Sequence, residues 1–351
     1  MKSNTLRPDQ AELVGRAPTI RDVAALARVS SATVSRVLNG SASVRAEHRR
    51  RVLEAITTTG YRPNRLARNL RRRHAETIGV LVPDIENPHF SESVRTFEDA
   101  AFAAGYRVLL CNTDETAAKQ QAYVSVLADE RVLGTIVAPA DGSGVGLEPL
   151  FELGIPVVAF DRAISDPRAD AVLCDNIEAT RQATEHLIWF GHLRIAYVGG
   201  RSNVETGAER LEGYTGAMRA AGLVPFSVNG DFRTEQACRE VAALLDLADP
   251  PTALVVANNL MALGALRAIR RRGLHIPNDI SIVAVDDPPW AELIDPPLSV
   301  VAQPVQQMAE TAIKLLLERI EQRRAEPVRI VLPLELLVRS SSGPRRPVRK
   351  D

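Results

Sequence analysis

Cysteine is scarce and odd in number, with Cys111, Cys174 and Cys238 the only three in 351 residues. Their wide spacing excludes a disulfide framework and a close-spaced metal site, and fits reduced, buried thiols. No apolar run approaches the length of a membrane span, and the stretch from Met1 to Pro18 lacks the apolar core of a signal peptide. A cytoplasmic protein without a membrane partner is therefore expected. Catalytic motifs are missing as well. The six histidines form no HExxH, and His186 and His192, six apart, do not share a helical face. Gly142, Gly144 and Gly146 are followed by Leu147 where a dinucleotide loop needs its third glycine, and neither a GxxxxGK[ST] phosphate loop nor a G-x-S-x-G elbow occurs. The reading is of a non-enzyme with no cofactor, no metal and no catalytic residue.

Net charge is absent only on average. Residues 1–74 carry 16 Lys and Arg against 5 Asp and Glu, whereas the remainder carries 27 against 38. A basic front of this kind is the electrostatic footprint of phosphate binding, and the acidic remainder is repelled from a duplex.

Within that front, Thr19 and Asp22 form a capping-box start, after which Ile20, Val23, Ala24 and Ala27 repeat at helical spacing. After a turn at Val29-Ser30, Val34, Val37 and Leu38 continue the pattern and leave Ser31, Ala32, Ser35, Arg36 and Asn39 outside. Two short helices with one polar, donor-rich face make a helix-turn-helix suited to a major groove. The competing reading, a helical hairpin in an all-α core, does not explain the charge. A third helix is expected over Arg45 to Thr59, with Val52, Ala55 and Ile56 inward, Arg49, Arg50 and Arg51 on its exposed side and Gly60 as its stop. Pro63 then breaks the chain, and Asn64 begins a short basic helix bearing Leu66, Ala67 and Leu70. Such a helix is too short to stand alone and calls for a partner, most economically its own copy in a dimer.

From Thr77 onward, short apolar strands alternate with amphipathic helices: 78–82, 108–111, 135–138, 157–160, 172–174, 195–198, 254–257 and 280–285. Parallel sheets covered on both faces follow from that pattern.

The strings Val29-Ser-Ser-Ala-Thr-Val-Ser-Arg-Val-Leu-Asn39, Tyr61-Arg-Pro-Asn64, Ala67-Arg-Asn-Leu70, Ile78-Gly-Val-Leu-Val-Pro-Asp84, Asn87-Pro-His-Phe90, Leu254-Val-Val-Ala-Asn258 and Asp279-Ile-Ser-Ile-Val283 occur in this order. On these the chain resembles the LacI/GalR (lactose-repressor/galactose-repressor) family of bacterial transcription regulators from Thr19 to about Arg339. The resemblance implies an N-terminal all-α helix-turn-helix domain plus hinge helix, followed by an α/β two-lobe, periplasmic-binding-protein-like effector domain. The expected boundaries are a disordered leader 1–18, the DNA-binding domain 19–62, the hinge helix 63–74, the effector and dimerisation domain 75–339 and a disordered tail 340–351. The chain should cross between lobes near 174, 302 and 332.

The same resemblance implies roles. Ser31, Ala32 and Arg36 would face base edges, and Ser30, Thr33, Ser35 and Asn39 would hold phosphates. Leu70 would wedge the minor groove at the operator centre, with Thr19, Ala67 and Arg71 also on the DNA side. In the cleft, Asp161, Asn258 and Asp286 follow strands, Arg210 opens a helix after Gly199-Gly200, and Gln303 stands at a crossover; each would point at a small-molecule effector. Carboxylates beside an arginine suit adjacent hydroxyls, and His89, Phe90 and Phe232 offer flat surface to a ring. The expected partners are a pseudo-palindromic operator, a sugar-like effector and a second copy of the chain. A solute-binding protein with no DNA role is the alternative, against which the basic front and the missing signal peptide speak. Departures from the family pattern are Arg45 in place of a small capping hydroxyl, Asn259 where an acid is common, and Ala284-Val285 where glycine and an aromatic are usual. The final segment, Ser340-Ser-Ser-Gly-Pro-Arg-Arg-Pro-Val-Arg-Lys-Asp351, cannot form the apolar heptad helix that tetramerises some relatives.

Overall fold

The computed structural model describes residues 18–38, 44–61, 77–140, 144 and 146–345. The chain divides into two compact units, 1–74 and 75–351.

In the first unit, α1 (Ile20–Ala27), α2 (Ser31–Leu38) and α3 (Ala46–Thr59) close a small core. Its centre is Val23, Ala24, Ala27, Val34, Val37, Val52 and Ala55, with Ile20, Leu38, Ile56 and Tyr61 at the margin. The sequence periodicity placed these side chains, because residues three and four apart share a helical face. Thr19 starts α1 by donating both its N–H and its hydroxyl to Asp22 Oδ2 at 2.6 Å. Arg28 ends it in the left-handed conformation, φ 51°. Ser30 Oγ then accepts the Thr33 N–H at 3.1 Å, a side-chain cap that opens α2. Arg45 stands at the start of α3 with no side-chain cap bond.

The arginine run on α3 needs correction. Only Arg50 is exposed, while Arg49 and Arg51 are half-buried. Consecutive helical residues are about 100° apart, so three in a row cannot share one face. Asn39 and the expected hinge, with Ala67, Leu70 and Arg71, lie outside the described residues.

The second unit carries two six-stranded sheets. The first is built by β1 (Thr77–Val82), β2 (Arg107–Asn112), β3 (Thr135–Val137), β4 (Val157–Phe160), β5 (Asp170–Cys174) and β11 (Arg329–Leu332), in the spatial order β11-β5-β4-β3-β1-β2 and wholly parallel. The second is built by β6 (Ile195–Gly199), β7 (Phe226–Asn229), β8 (Ala253–Val256), β9 (Ser281–Val285), β10 (Ser299–Ala302) and β12 (Glu335–Leu337), in the order β12-β10-β9-β8-β6-β7. Only β12 runs antiparallel. Around the first sheet lie α4 (Pro88–Ala103), α5 (Ala117–Asp129) and the short α6 (Glu148–Glu152); around the second lie α7 (Asn176–Trp189), α8 (Glu205–Ala220), α9 (Thr234–Leu245) and α10 (Asn259–Arg271). The chain leaves the first sheet after Cys174. It returns after Ala302, so that α11 (Val305–Ile320) buries Met308, Ala312 and Leu316 against Ile78, Val80 and Phe97. It crosses a third time between Leu332 and Glu335.

In each sheet the order reverses beside the first strand entered, β1 and β6. The carboxyl ends there form the crevice that open parallel sheets use for ligands. Edge strands β7 and β11 escaped the apolar-run reading because they are half-exposed in alternation.

Disorder from residue 340 is overturned for its first six residues. Ser341 and Ser342 are buried. The Ile282 N–H donates to Ser341 O at 2.9 Å, and Ser341 Oγ accepts the Ser299 N–H at 2.7 Å. Small polar residues read as loop when alone, but here they finish the polar edge of a sheet. Cys111, Cys174 and Cys238 are buried thiols. Among the described residues no helix is long and apolar enough to cross a membrane, and no group of His, Cys, Asp or Glu is placed to hold a metal ion.

Candidate functional site

Between the two sheets of the second unit lies a cavity with about 370 Å³ of empty volume. It is lined by all eight residues expected in the cleft, His89, Phe90, Asp161, Arg210, Phe232, Asn258, Asp286 and Gln303, together with Asp84, Asn87, Glu115, Arg162, Thr206 and Leu260. Strand ends bring them together. Asp161 and Asp286 follow β4 and β9 directly and sit in the left-handed region, φ 64° and 77°, as do Glu115 at 55° and Phe232 at 56°. Positive φ is tolerated by Asp but costly for an aromatic. Its concentration around one cavity marks a backbone bent to aim side chains inward. Gly200 makes room for Phe232, since a Cβ there would lie 2.0 Å from the ring.

Asp286 is held from three directions. Its Oδ1 accepts from Gln303 Nε2 at 2.6 Å, and its Oδ2 accepts the Asn259 N–H at 3.2 Å and Asn259 Nδ2 at 3.0 Å. Arg210 lies in the second turn of α8 rather than opening it. It donates through Nε to Asn176 Oδ1 at 2.7 Å and through one terminal nitrogen to Ala257 O at 2.6 Å. Asn258 caps α10 by accepting the Met261 N–H at 2.8 Å. Arg162 grips Glu115 with both terminal nitrogens, at 2.8 and 2.7 Å, and its guanidinium lies 5.7 Å from the centre of the Phe232 ring.

His89 stacks on Phe160 at 5.9 Å and meets Phe90 edge-on at 4.9 Å. Its Nε2 lies 3.4 Å from Asp161 Oδ1, yet neither ring nitrogen makes a hydrogen bond. Burial opposes the imidazolium, but the adjoining Asp161 outweighs it and raises the His89 pKa. Asp161 is shifted the other way: burial works against its charge, and His89, Arg210 and Arg162 overcome it.

Several bonds join the lobes across the cavity. Asn259 Nδ2 donates to Asn87 Oδ1 at 2.8 Å, Arg233 donates to Asp84 at 2.8 Å and Asp114 at 2.6 Å, and Arg201 donates to Glu115 O at 2.8 Å. Strand-end reasoning reached Asp161 and Asp286 and, applied to β1, also reaches Asp84. Glu115, Arg162 and Asn259 acquire their places from partners far along the chain, which spacing does not show.

On the first unit, Ser31, Ala32 and Arg36 are exposed on α2, and Ser35 is half-buried. Ser30 and Thr33 are tied to each other, their hydroxyls 2.9 Å apart, while Thr19 is engaged in the α1 cap. This exposed row presents two small side chains and one guanidinium, a surface able to approach base edges.

Residues 19–64 match the bacterial regulatory proteins of the lacI family, and residues 184–342 match a periplasmic binding protein-like domain. The ribose operon repressor of Halalkalibacterium halodurans is 35% identical over 92% of this chain and 97% of its own length. Among solved structures, the Lac repressor dimer bound to operator and the anti-inducer ONPF is 28% identical, covers 93% of this chain and all of its own, and superposes with a TM-score of 0.77. A LacI family transcriptional regulator from Enterococcus faecium with bound ribose is 32% identical over 77% of this chain and all of its own, with a TM-score of 0.71. Helix-turn-helix, paired sheets and whole-length identity agree, and the chain belongs to the LacI family of bacterial transcriptional repressors.

Proposed function

We propose that this protein is a cytoplasmic, homodimeric repressor without enzymatic activity. It binds a pseudo-palindromic operator through residues 19–74 and is controlled by a small sugar or related polyhydroxy metabolite in the cavity of residues 75–339. The observation that carries this is the convergence of charged and aromatic side chains on one cavity between two lobes, in a chain that begins with a DNA-reading motif. The ribose operon repressor and the ribose-bound regulator, similar along most of this chain, support a sugar. Ligand favouring one lobe arrangement would shift the equilibrium between DNA-binding states in proportion to its differential affinity. Fluorescence anisotropy with an operator fragment, repeated with sugars that raise the melting temperature, tests the reading. Operator affinity that no stabilising ligand alters would defeat it.

Two substitutions test the DNA surface. Arg36 suits a bidentate contact to guanine, so Arg36→Ala is expected to relax base preference at one position per half-site, by about 1–3 kcal/mol. Unchanged preference in a selection experiment would contradict that role. Leu70→Ala is expected to weaken specific binding and spare salt-dependent, non-specific binding, because only a wedge and the bend it permits are lost. Equal weakening on random DNA would count against it.

A further inference from the structure

We infer that the cavity accepts an uncharged, hydroxyl-rich sugar and rejects the phosphate esters of the same sugars. The inference rests on reading the cavity as the effector site and goes further by fixing the charge of what enters. Its basis is which polar atoms are already engaged.

A phosphate needs several donors, and an arginine fork is the usual source. The Arg162 fork is fully committed here and the Arg210 fork only partly so. Arg162 places its two terminal nitrogens on Glu115 and one of them also on Pro139 O, and its Nε lies 3.7 Å from Asp161. Arg210 has engaged Nε and one terminal nitrogen, leaving a single terminal nitrogen for a ligand. Acceptors are plentiful. Asp161 faces the cavity as a carboxylate, Asp286 lines it with its oxygens accepting from Gln303 and Asn259, and Gln303 Oε1 is buried without a donor. A lining rich in acceptors wants a ligand that donates, which hydroxyl groups do and an ionised phosphate does not. His89, whose ring nitrogens make no hydrogen bond although Nε2 lies 3.4 Å from Asp161 Oδ1, can also pair with a ligand hydroxyl. An added dianion would meet the carboxylates of Asp161 and Asp286 with the Arg162 charge already paired to Glu115 and only the one open nitrogen of Arg210 to answer it, and burying charge without enough partners is strongly unfavourable.

Calorimetry on the full chain decides this, with D-ribose, D-xylose, D-glucose and D-galactose beside ribose 5-phosphate, glucose 6-phosphate and galactose 6-phosphate. At least one free sugar is expected to bind, with its ester tenfold or more weaker. In Glu115→Gln, which removes the negative charge paired with Arg162, the ratio of free sugar to ester affinity is expected to fall at least tenfold. An ester binding within tenfold of its free sugar, or an ester binding alone, overturns the inference and leaves the effector-controlled repressor standing. A panel in which nothing binds overturns the inference, while the repressor reading then stands or falls on whether any stabilising ligand alters operator affinity. Should Glu115→Gln fail to fold, the selectivity of the unaltered protein still decides.

Discussion

Asp286→Ala is expected to abolish the effector response while operator binding without ligand persists. Ligand affinity should fall on the order of 100-fold, nearly 3 kcal/mol. The size follows from what the carboxylate holds. Removing it deprives Gln303 Nε2, the Asn259 N–H and Asn259 Nδ2 of their acceptor at once, inside a buried site. A buried polar group left unpaired costs about 1–3 kcal/mol. Asn259 also carries the bond to Asn87 on the other lobe, so the loss spreads from the ligand to the junction that closes over it. Asp286→Asn should fall nearly as far, since its amide would turn a donor toward donors. Calorimetry with the best-binding sugar, paired with operator anisotropy, measures both quantities. Unaltered sugar affinity in both variants would place the effector elsewhere.

Sequence made the fold legible wherever one residue's pattern sufficed. Apolar runs marked the buried strands except β10, and the spacing of Val23, Ala27, Val34 and Val37 marked the helix-turn-helix core. Strand-end logic gathered Asp161, Asn258 and Asp286, because parallel strands aim their carboxyl ends at a common crevice. What stayed hidden depends on pairs. Glu115 and Arg162 look like an ordinary loop acid and base until the fold stands them 2.7 Å apart, and Asn259 looks like a departure from pattern until it bridges Asn87. The run Arg49 to Arg51 misled for the opposite reason, since a linear string of charge says nothing about the rotation of about 100° between its members. The carboxyl-terminal serines misled because a polar segment carries no mark of the partners waiting for it.

Those serines carry the last prediction. Removing residues 341–351 is expected to lower the melting temperature on the order of 10 °C, whereas removing 346–351 leaves it unchanged. The longer cut takes away Ser341 from the Ser299 N–H and from Ile282, Ser342 Oγ from His186 Nε2 at 2.8 Å and from Ser299 Oγ at 2.9 Å, and Gly343 O from His192 Nε2 at 3.1 Å. Water reaches the opened groups and relieves part of the deficit, so a net loss of about 3–5 kcal/mol is reasonable for this many bonds. The effect has a pH signature. Burial lowers the pKa of His186, with His192 adding to it, and burial also lowers that of His192, outweighing the Gly343 carbonyl that raises it. Both rings are held neutral in the folded protein, so the unfolded chain takes up protons first as the pH falls. Stability from the docked tail is fully present above the ordinary histidine value of 6.5 and is lost as the pH drops below it toward the lowered folded values. The melting-temperature gap between full-length and shortened protein should therefore be widest near neutral pH or above and narrow on acidification. A gap that is absent at neutral pH, or that widens in acid, would mean the tail does not hold the second lobe together.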